Sequence, residues 1–253
     1  MILTDSPFLL FAFSLFILAL SARLGALYRK KRHLPEGEVL KGFDVVRSST
    51  LMLLALIIGF TFSMAVSRYD QRKNYEEAEA NAIGTEYLRV SLLPAADEAK
   101  IQKLMLRYIE QRILFYTVRD HLRLRQIDAE TATVQASLWA AVRDPALANP
   151  TPVAALVVEG MNDVLNSQGY TQASWWNRIP AAAWILMGFM AICGTALVGY
   201  DEIDRRGRVR YLWILPTVVS IAFFLIAEID SPRSGVIRVV PQNLISLSES
   251  LHP

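Results

Sequence analysis

Cysteine is almost absent: Cys193 is the only one in 253 residues. No disulfide can form within the chain, and the thiol reads as a small buried hydrophobe. Histidine is nearly as scarce, with His33, His121 and His252 scattered and lacking ligand-spaced companions, so no metal site is expected. Charge of either sign is in little excess, 26 Lys and Arg against 24 Asp and Glu, which leaves no electrostatic footprint for nucleic acid. Missing too are a nucleophile–base pair, a glycine-rich phosphate loop and facing carboxylates. Glu76 and Glu77 are adjacent, and neighbours on a helix do not face each other. The chain reads as no enzyme, and no cofactor is expected.

Apolar residues are abundant, at 53% of the chain. Four stretches carry no charge at all, between Asp5 and Arg23, Arg47 and Arg68, Arg178 and Asp201, and Arg210 and Glu228. A bilayer core about 30 Å thick needs roughly 20 apolar helical residues, in a range of about 17–25. The pattern predicts an all-α integral membrane protein with four transmembrane helices, at about 6–28, 48–68, 179–200 and 211–228. The first stretch has its bases after it rather than before it, so it reads as a retained helix and not as a signal peptide.

The helices pair as two hairpins, 1–68 and 178–229, around an extramembrane helical bundle at 69–177, with a tail at 230–253. The loop at 29–47 holds six bases, Arg29, Lys30, Lys31, Arg32, Lys41 and Arg47, and the loop at 201–210 holds Arg205, Arg206, Arg208 and Arg210. Short basic loops stay in the cytoplasm. A multi-pass protein of the cell inner membrane is therefore expected, with both basic loops inside and the bundle outside.

Within the bundle the second membrane helix is expected to run on to Leu93, with Pro94 ending it and Asp97 capping the next helix. Ile101, Leu104, Tyr108, Phe115 and Leu122 form one apolar stripe. A shorter helix near 129–143 follows, then a helix capped by Thr151 with Pro152 at its first position. Val153, Leu156, Val157, Gly160, Met161 and Val164 give that helix one apolar face.

Two segments are unusual. From Phe60 to Arg89 the chain leaves its apolar run and places Arg68, Arg72, Glu76 and Glu79 or Ala80 on one side at i, i+4 spacing. Exposed i, i+4 pairs such as Arg72 with Glu76 contribute about 0.3–0.5 kcal/mol each. The side reads either as a salt-bridged helix surface or as Arg68 and Arg72 in an ion-attracting collar repeated around an oligomer. Ala78/Ala82 and Ala80/Gly84 are small residues four apart, which permit close helix approach. The second segment, Glu228-Ile-Asp230-Ser-Pro232-Arg233-Ser-Gly235, ends the last apolar run. Pro232 and Gly235 predict a turn. Glu228 and Asp230 need partners at that depth, from Arg233, Arg178 or an arginine of the second helix.

These two runs, RYDQR…EAEANAIGTEYLR and EIDSPRSG, resemble the bacterial bestrophin-like membrane family, distant relatives of the bestrophin anion channels. EGMNDVL at 159–165 is a weaker match. The resemblance spans about Leu51 to Val239 and marks Tyr69, Asp70, Glu79, Asn81, Gly84, Arg89, Asn162, Glu228, Asp230, Pro232 and Gly235 as family-motif positions. It implies a homo-oligomer, such as a pentamer, in membrane lipid, with a central pore lined by the second helix and passing small ions such as chloride. Leu54, Ile58 and Phe62 recur at i, i+4, i+8 and are similar to the apolar constriction of bestrophin channels. Rings of this kind gate by dewetting, and the same stripe would equally serve packing or lipid contact. Bestrophins keep their helical domain in the cytosol, opposite to the side that the basic loops indicate here. Nothing matches their acidic calcium clasp. A non-channel scaffold or accessory protein, or a ligand-sensing protein using the bundle, is the competing expectation.

Overall fold

The computed structural model describes residues 6–32, 41–201 and 212–251. Among these residues eight α-helices follow in order: α1 (Pro7–Arg32), α2 (Lys41–Arg89), α3 (Ala95–Thr117), α4 (His121–Ala148), α5 (Pro152–Trp176), α6 (Ala181–Asp201), α7 (Ile214–Asp230) and α8 (Gln242–Leu251). No strand occurs among the described residues. Residues 33–40 of the first basic loop and 202–210 of the second lie outside the described residues, as do His33, His252 and the bases from Arg205 to Arg210.

The length of α2, 49 residues, follows from an absence of proline between Lys41 and Leu93. Thr50 and Thr61 donate back to the Val46 and Ile57 carbonyls, each at 2.8 Å, so their hydroxyls are satisfied inside the apolar run. A 3-10 turn, Val90–Leu92, ends the helix. Pro94, rather than the expected Asp97, occupies the N-cap of α3. Asp97 stands instead in the first turn, where a carboxylate meets the positive end of the helix dipole.

The stripe expected through Leu122 breaks at Thr117. Asp120 caps α4 by accepting from the Leu122 amide at 2.9 Å, which restarts the helical phase, and Leu122 is left exposed. This early cap also makes α4 longer than the helix expected at 129–143. Thr151 caps α5 as expected, accepting from Ala154 N at 3.1 Å with Pro152 following it. Within the stretch expected to be a tail, residues from Gln242 fold as α8.

The chain forms two compact units, Met1–Arg68 with Arg178–Arg238, and Tyr69–Asn177 with Val239–Pro253. In the first, α1 packs on α6 and α7. The crossing of α1 and α6 is close because both helices present glycine there. A Cβ at Gly25 would stand 2.1 Å from the Ala196 oxygen, and one at Gly199 would stand 1.9 Å from the Ala22 oxygen. Ser21 Oγ donates across the same crossing to the Ile192 carbonyl at 2.8 Å.

In the second unit α3 packs on α4 and α8, and α4 on α5. Ile101, Met105 and Tyr108 of α3, Val134 and Leu138 of α4, and Val157, Met161 and Val164 of α5 share one core. Each such side chain contributes roughly 1.5–3 kcal/mol on burial. Of the face expected on α5, Val153 and Leu156 remain exposed.

Helical stretches Pro7–Arg29, Gly42–Leu92 and Pro152–Tyr200 each contain a segment long and apolar enough to cross a membrane. Only 33%, 17% and 22% of these segments is buried within the chain. Most of their apolar surface therefore needs cover from outside the protomer. Helix α7 has 17 residues, at the short end of the spanning range.

Candidate functional site

Among the described residues, buried charged side chains gather in each unit. In the first unit they centre on Asp230, at the last residue of α7 and 1% exposed. Both Asp230 carboxylate oxygens accept from the Ile179 amide at 3.2 Å. Arg68 Nη1 approaches Oδ1 at 3.7 Å, and Arg178 Nε approaches Oδ2 at 3.6 Å. Glu228, two residues earlier, closes the turn that follows α7. Its Oε2 accepts from the amides of Val236 at 2.5 Å and Ile237 at 3.4 Å. Gly235 is required there, since a Cβ would fall 2.7 Å from both the carbonyl oxygen and Oε2 of Glu228. Pro232 belongs to the same turn and is half-buried. The partners expected for Asp230 are thus present as Arg68 and Arg178, while Glu228 is taken up by backbone.

In the second unit one side of α2 carries Arg72, Glu76, Glu79 and Glu86, all between 0% and 1% exposed. This corrects the picture of an open helix surface or an exposed collar at Arg72. The side is buried, and Arg72, Glu76 and Glu79 each bind another element. Arg72 donates to the carbonyls of Ser174 at 3.3 Å and Asn177 at 3.4 Å, at the C-terminal end of α5, where a cation meets the negative helix pole. Glu76 accepts from the amides of Asn243 and Leu244, both at 3.0 Å, and from Asn243 Nδ2 at 2.6 Å. It therefore holds the N-terminal end of α8, where anions are favoured. The figure for an exposed Arg72–Glu76 pair does not apply to groups so placed.

Glu79 binds Arg112 through Nε and, at 3.4 Å, Nη2. It also accepts from Tyr116 at 3.3 Å and Thr171 at 3.0 Å. Burial and the charge of Glu79 push both Tyr108 and Tyr116 well above the usual phenol range. Burial opposes the charge on Arg112, but Glu79 and Tyr108 more than restore it and leave its pKa above the ordinary guanidinium value.

Glu86 has no hydrogen-bond partner on either carboxylate oxygen among the described residues. Gly160 makes room for it: a Cβ there would stand 1.9 Å from Glu86 Oε2 and 2.5 Å from Arg89 Nη1. Burial lifts the Glu86 carboxyl to about 8, with Arg89 lowering it and Asp163 raising it.

Other motif positions are spread more widely. Tyr69 packs on the core of the second unit. Asp70, Asn81 and Asn162 are exposed, and Arg89 is half-buried. Gly84 faces the Leu247 side chain of α8, with 3.1 Å to an added Cβ. Along the apolar run of α2, Leu54 is 2% exposed, Ile58 half-buried and Phe62 41% exposed. Leu54 lies near Gly194 of α6, 3.8 Å from an added Cβ.

Arg112, Tyr116, Thr171 and Asn243 were not legible as site residues. The first three lie 33 to 92 positions from Glu79 and Asn243 lies 167 from Glu76, and no local period links them. Among the described residues no three His, Cys, Asp or Glu side chains converge as metal ligands.

A family model, the bestrophin-like domain, matches residues 44–244. Among solved structures, a bacterial bestrophin homologue from Klebsiella pneumoniae phased with zinc is 15% identical at a TM-score of 0.64, covering 96% of this chain and 99% of its own. A leucine-to-threonine mutant of the Klebsiella pneumoniae homologue is 14% identical at a TM-score of 0.67, covering 95% of this chain and 97% of its own. At such identity the likeness is one of fold. Comparison with curated proteins finds no match. The domain match takes in both ionic assemblies and most of the chain, and the protein belongs to the bestrophin-like family.

Proposed function

We propose that the protein is a homo-oligomeric anion channel of the bacterial inner membrane. Its four membrane helices are α1, the apolar run of α2 at 48–68, α6 and α7, and the apolar run of α2 lines the pore. The second unit is then the extramembrane bundle. One observation carries this reading: the apolar run of α2 is the least buried of the three candidate spans, at 17%. A helix so poorly covered by its own chain has surface to offer to lipid and to neighbouring copies.

The stripe Leu54, Ile58, Phe62 turns outward along the helix, from 2% exposed at Leu54 to 41% at Phe62. A ring of Phe62 side chains, backed by Ile58 and Leu54, would form a dewetting constriction. At the end of the run, Arg68 and Arg178 face the single carboxylate of Asp230. Repeated around an oligomer, these arginines would draw anions to the mouth.

The non-channel alternative, a ligand-sensing or scaffold role, is favoured by a groove of about 420 Å³ lined by Trp139, Pro150, Ala154 and Val158. Reconstitution separates the two readings. Purified protein in chloride-loaded vesicles is expected to release chloride, with Phe62→Ala raising the conductance in planar bilayers. Release no faster than from empty vesicles would overturn the channel. Labelling of single cysteines placed in 29–47 and in the bundle, after replacement of Cys193, decides whether the bundle lies outside or in the cytosol.

A further inference from the structure

Helix α1 contains no acidic residue, and its bases, Arg23, Arg29, Lys30, Lys31 and Arg32, all lie in its C-terminal half. Beside the first of these bases is a groove of about 440 Å³, lined by Phe11, Leu15, Phe16, Ala19, Arg23 and Trp213 among others. It runs along α1 from Phe11 to Arg23, about 18 Å at a rise of about 1.5 Å per residue. Every lining side chain except Arg23 is apolar or aromatic. The Arg23 guanidinium lies 5.2 Å over the Trp213 ring, a stacking that holds the charge at one end of the groove. Arg23 is exposed and has no carboxylate partner among the described residues. Phe16, on the groove wall, is 68% exposed.

An apolar trough closed at one end by a tethered cation has the chemistry of an amphiphile's complement. We infer that the groove is a binding site for an anionic phospholipid. One acyl chain lies along the trough, and the headgroup phosphate sits at Arg23. The bases that follow on the same helix add to the preference for negative charge, each contributing as juxtamembrane bases do near an anionic surface. A second copy of α1 is disfavoured as the occupant, because it would bring five more positive charges to the same end. The inference rests on α1 crossing the membrane, as in the channel reading, and extends it to a lipid partner.

The test uses full-length protein in phosphatidylcholine vesicles doped with phosphatidylglycerol or phosphatidylcholine brominated on the acyl chain. The Trp213 signal is isolated by subtracting the Trp213→Phe variant. The site requires brominated phosphatidylglycerol to quench Trp213 at lower lipid fraction than brominated phosphatidylcholine does. Arg23→Gln is expected to reduce that preference about fivefold, and Arg23→Lys to retain most of it. Ala12→Phe fills the trough and is expected to weaken quenching by both lipids. Equal quenching by the two lipids in the parent protein would overturn the proposal. So would an unchanged preference in Arg23→Gln, or Ala12→Phe splitting the oligomer while leaving quenching intact, since a neighbouring copy would then occupy the groove. Protein that fails to insert at all would instead sink the membrane reading on which the site depends.

Discussion

Glu79 of α2 and Arg112 of α3 form an ion pair in which both side chains are 0% exposed. Two charges removed from water are tolerated only when their remaining hydrogen-bonding capacity is met. Tyr116 and Thr171 supply that to Glu79, whereas Arg112 Nη1 has no hydrogen-bond partner among the described residues and the guanidinium lies 4.5 Å over the Phe115 ring. Removing one partner leaves the other buried and uncompensated. Glu79→Ala is expected to cost about 3–5 kcal/mol, read as a fall in the unfolding midpoint in detergent. The double change Glu79→Leu with Arg112→Met should recover much of that loss. An unshifted midpoint in Glu79→Ala would show the pair to be dispensable.

Asp230 joins three elements of the first unit through Ile179, Arg68 and Arg178. Asp230→Asn keeps the shape and an acceptor for the Ile179 amide but deletes the charge both arginines face. A loss of about 1.5–3 kcal/mol is expected, the range for hydrogen bonds to charged groups. Adding Arg68→Gln should cost less than the sum of the single changes, because the two residues share one interaction. Strict additivity of the thermal shifts would deny the contact.

Glu86 gives the bundle a pH dependence of definite sign. Its folded-state pKa, about 8, lies above the ordinary value of 4.5, so the folded protein binds more protons than the unfolded chain between those values. Stability therefore falls as pH rises through this window and levels off above it. The charged groups facing Glu86 are Arg89 on its own helix and Asp163 on α5. Glu86→Gln removes the titration while keeping the shape. The midpoint of the variant should exceed that of the parent increasingly from pH 5 to about 8, by an effect on the order of 4 kcal/mol. Parallel midpoint curves for the two proteins would show that Glu86 does not carry the effect.

Two glycines make a matched comparison. Gly199→Ala places a methyl 1.9 Å from the Ala22 oxygen, whereas Gly169→Ala meets nothing within 4 Å. The first must push α1 and α6 apart and should cost about 1–3 kcal/mol or more. The second, within α5, should stabilise by about 0.4–1 kcal/mol through the lost entropy of the unfolded chain. Thermal unfolding of both variants reads the contrast directly, and equal shifts would mean that α1 and α6 do not cross this closely.

The helices were legible because their causes are local. Charge-free runs announce α1, α6, α7 and the first part of α2. The lack of proline carries α2 on to Arg89, and Thr151-Pro152 marks the start of α5. The cap at Asp120 gives no clear local signal, because it interrupts an apolar stripe that reads as continuous through Leu122. Helix α8, at ten residues, is too short for its period to stand apart from a tail. The motif residues at the end of α7 were visible as charges needing partners, although which arginines answered them was not.

The order of residues by itself determined that the protein is helical, that its long apolar runs demand a nonaqueous covering, and where ionised groups interrupt them, because hydrophobicity and helix propensity act between near neighbours. The buried fate of Arg72, Glu76, Glu79 and Glu86 was decided only by tertiary structure. A guanidinium on an open helix and one closing the carbonyls of α5 look identical in one dimension. Their difference lies in desolvation and in partners as far as 168 positions away, which exist only once the helices have packed.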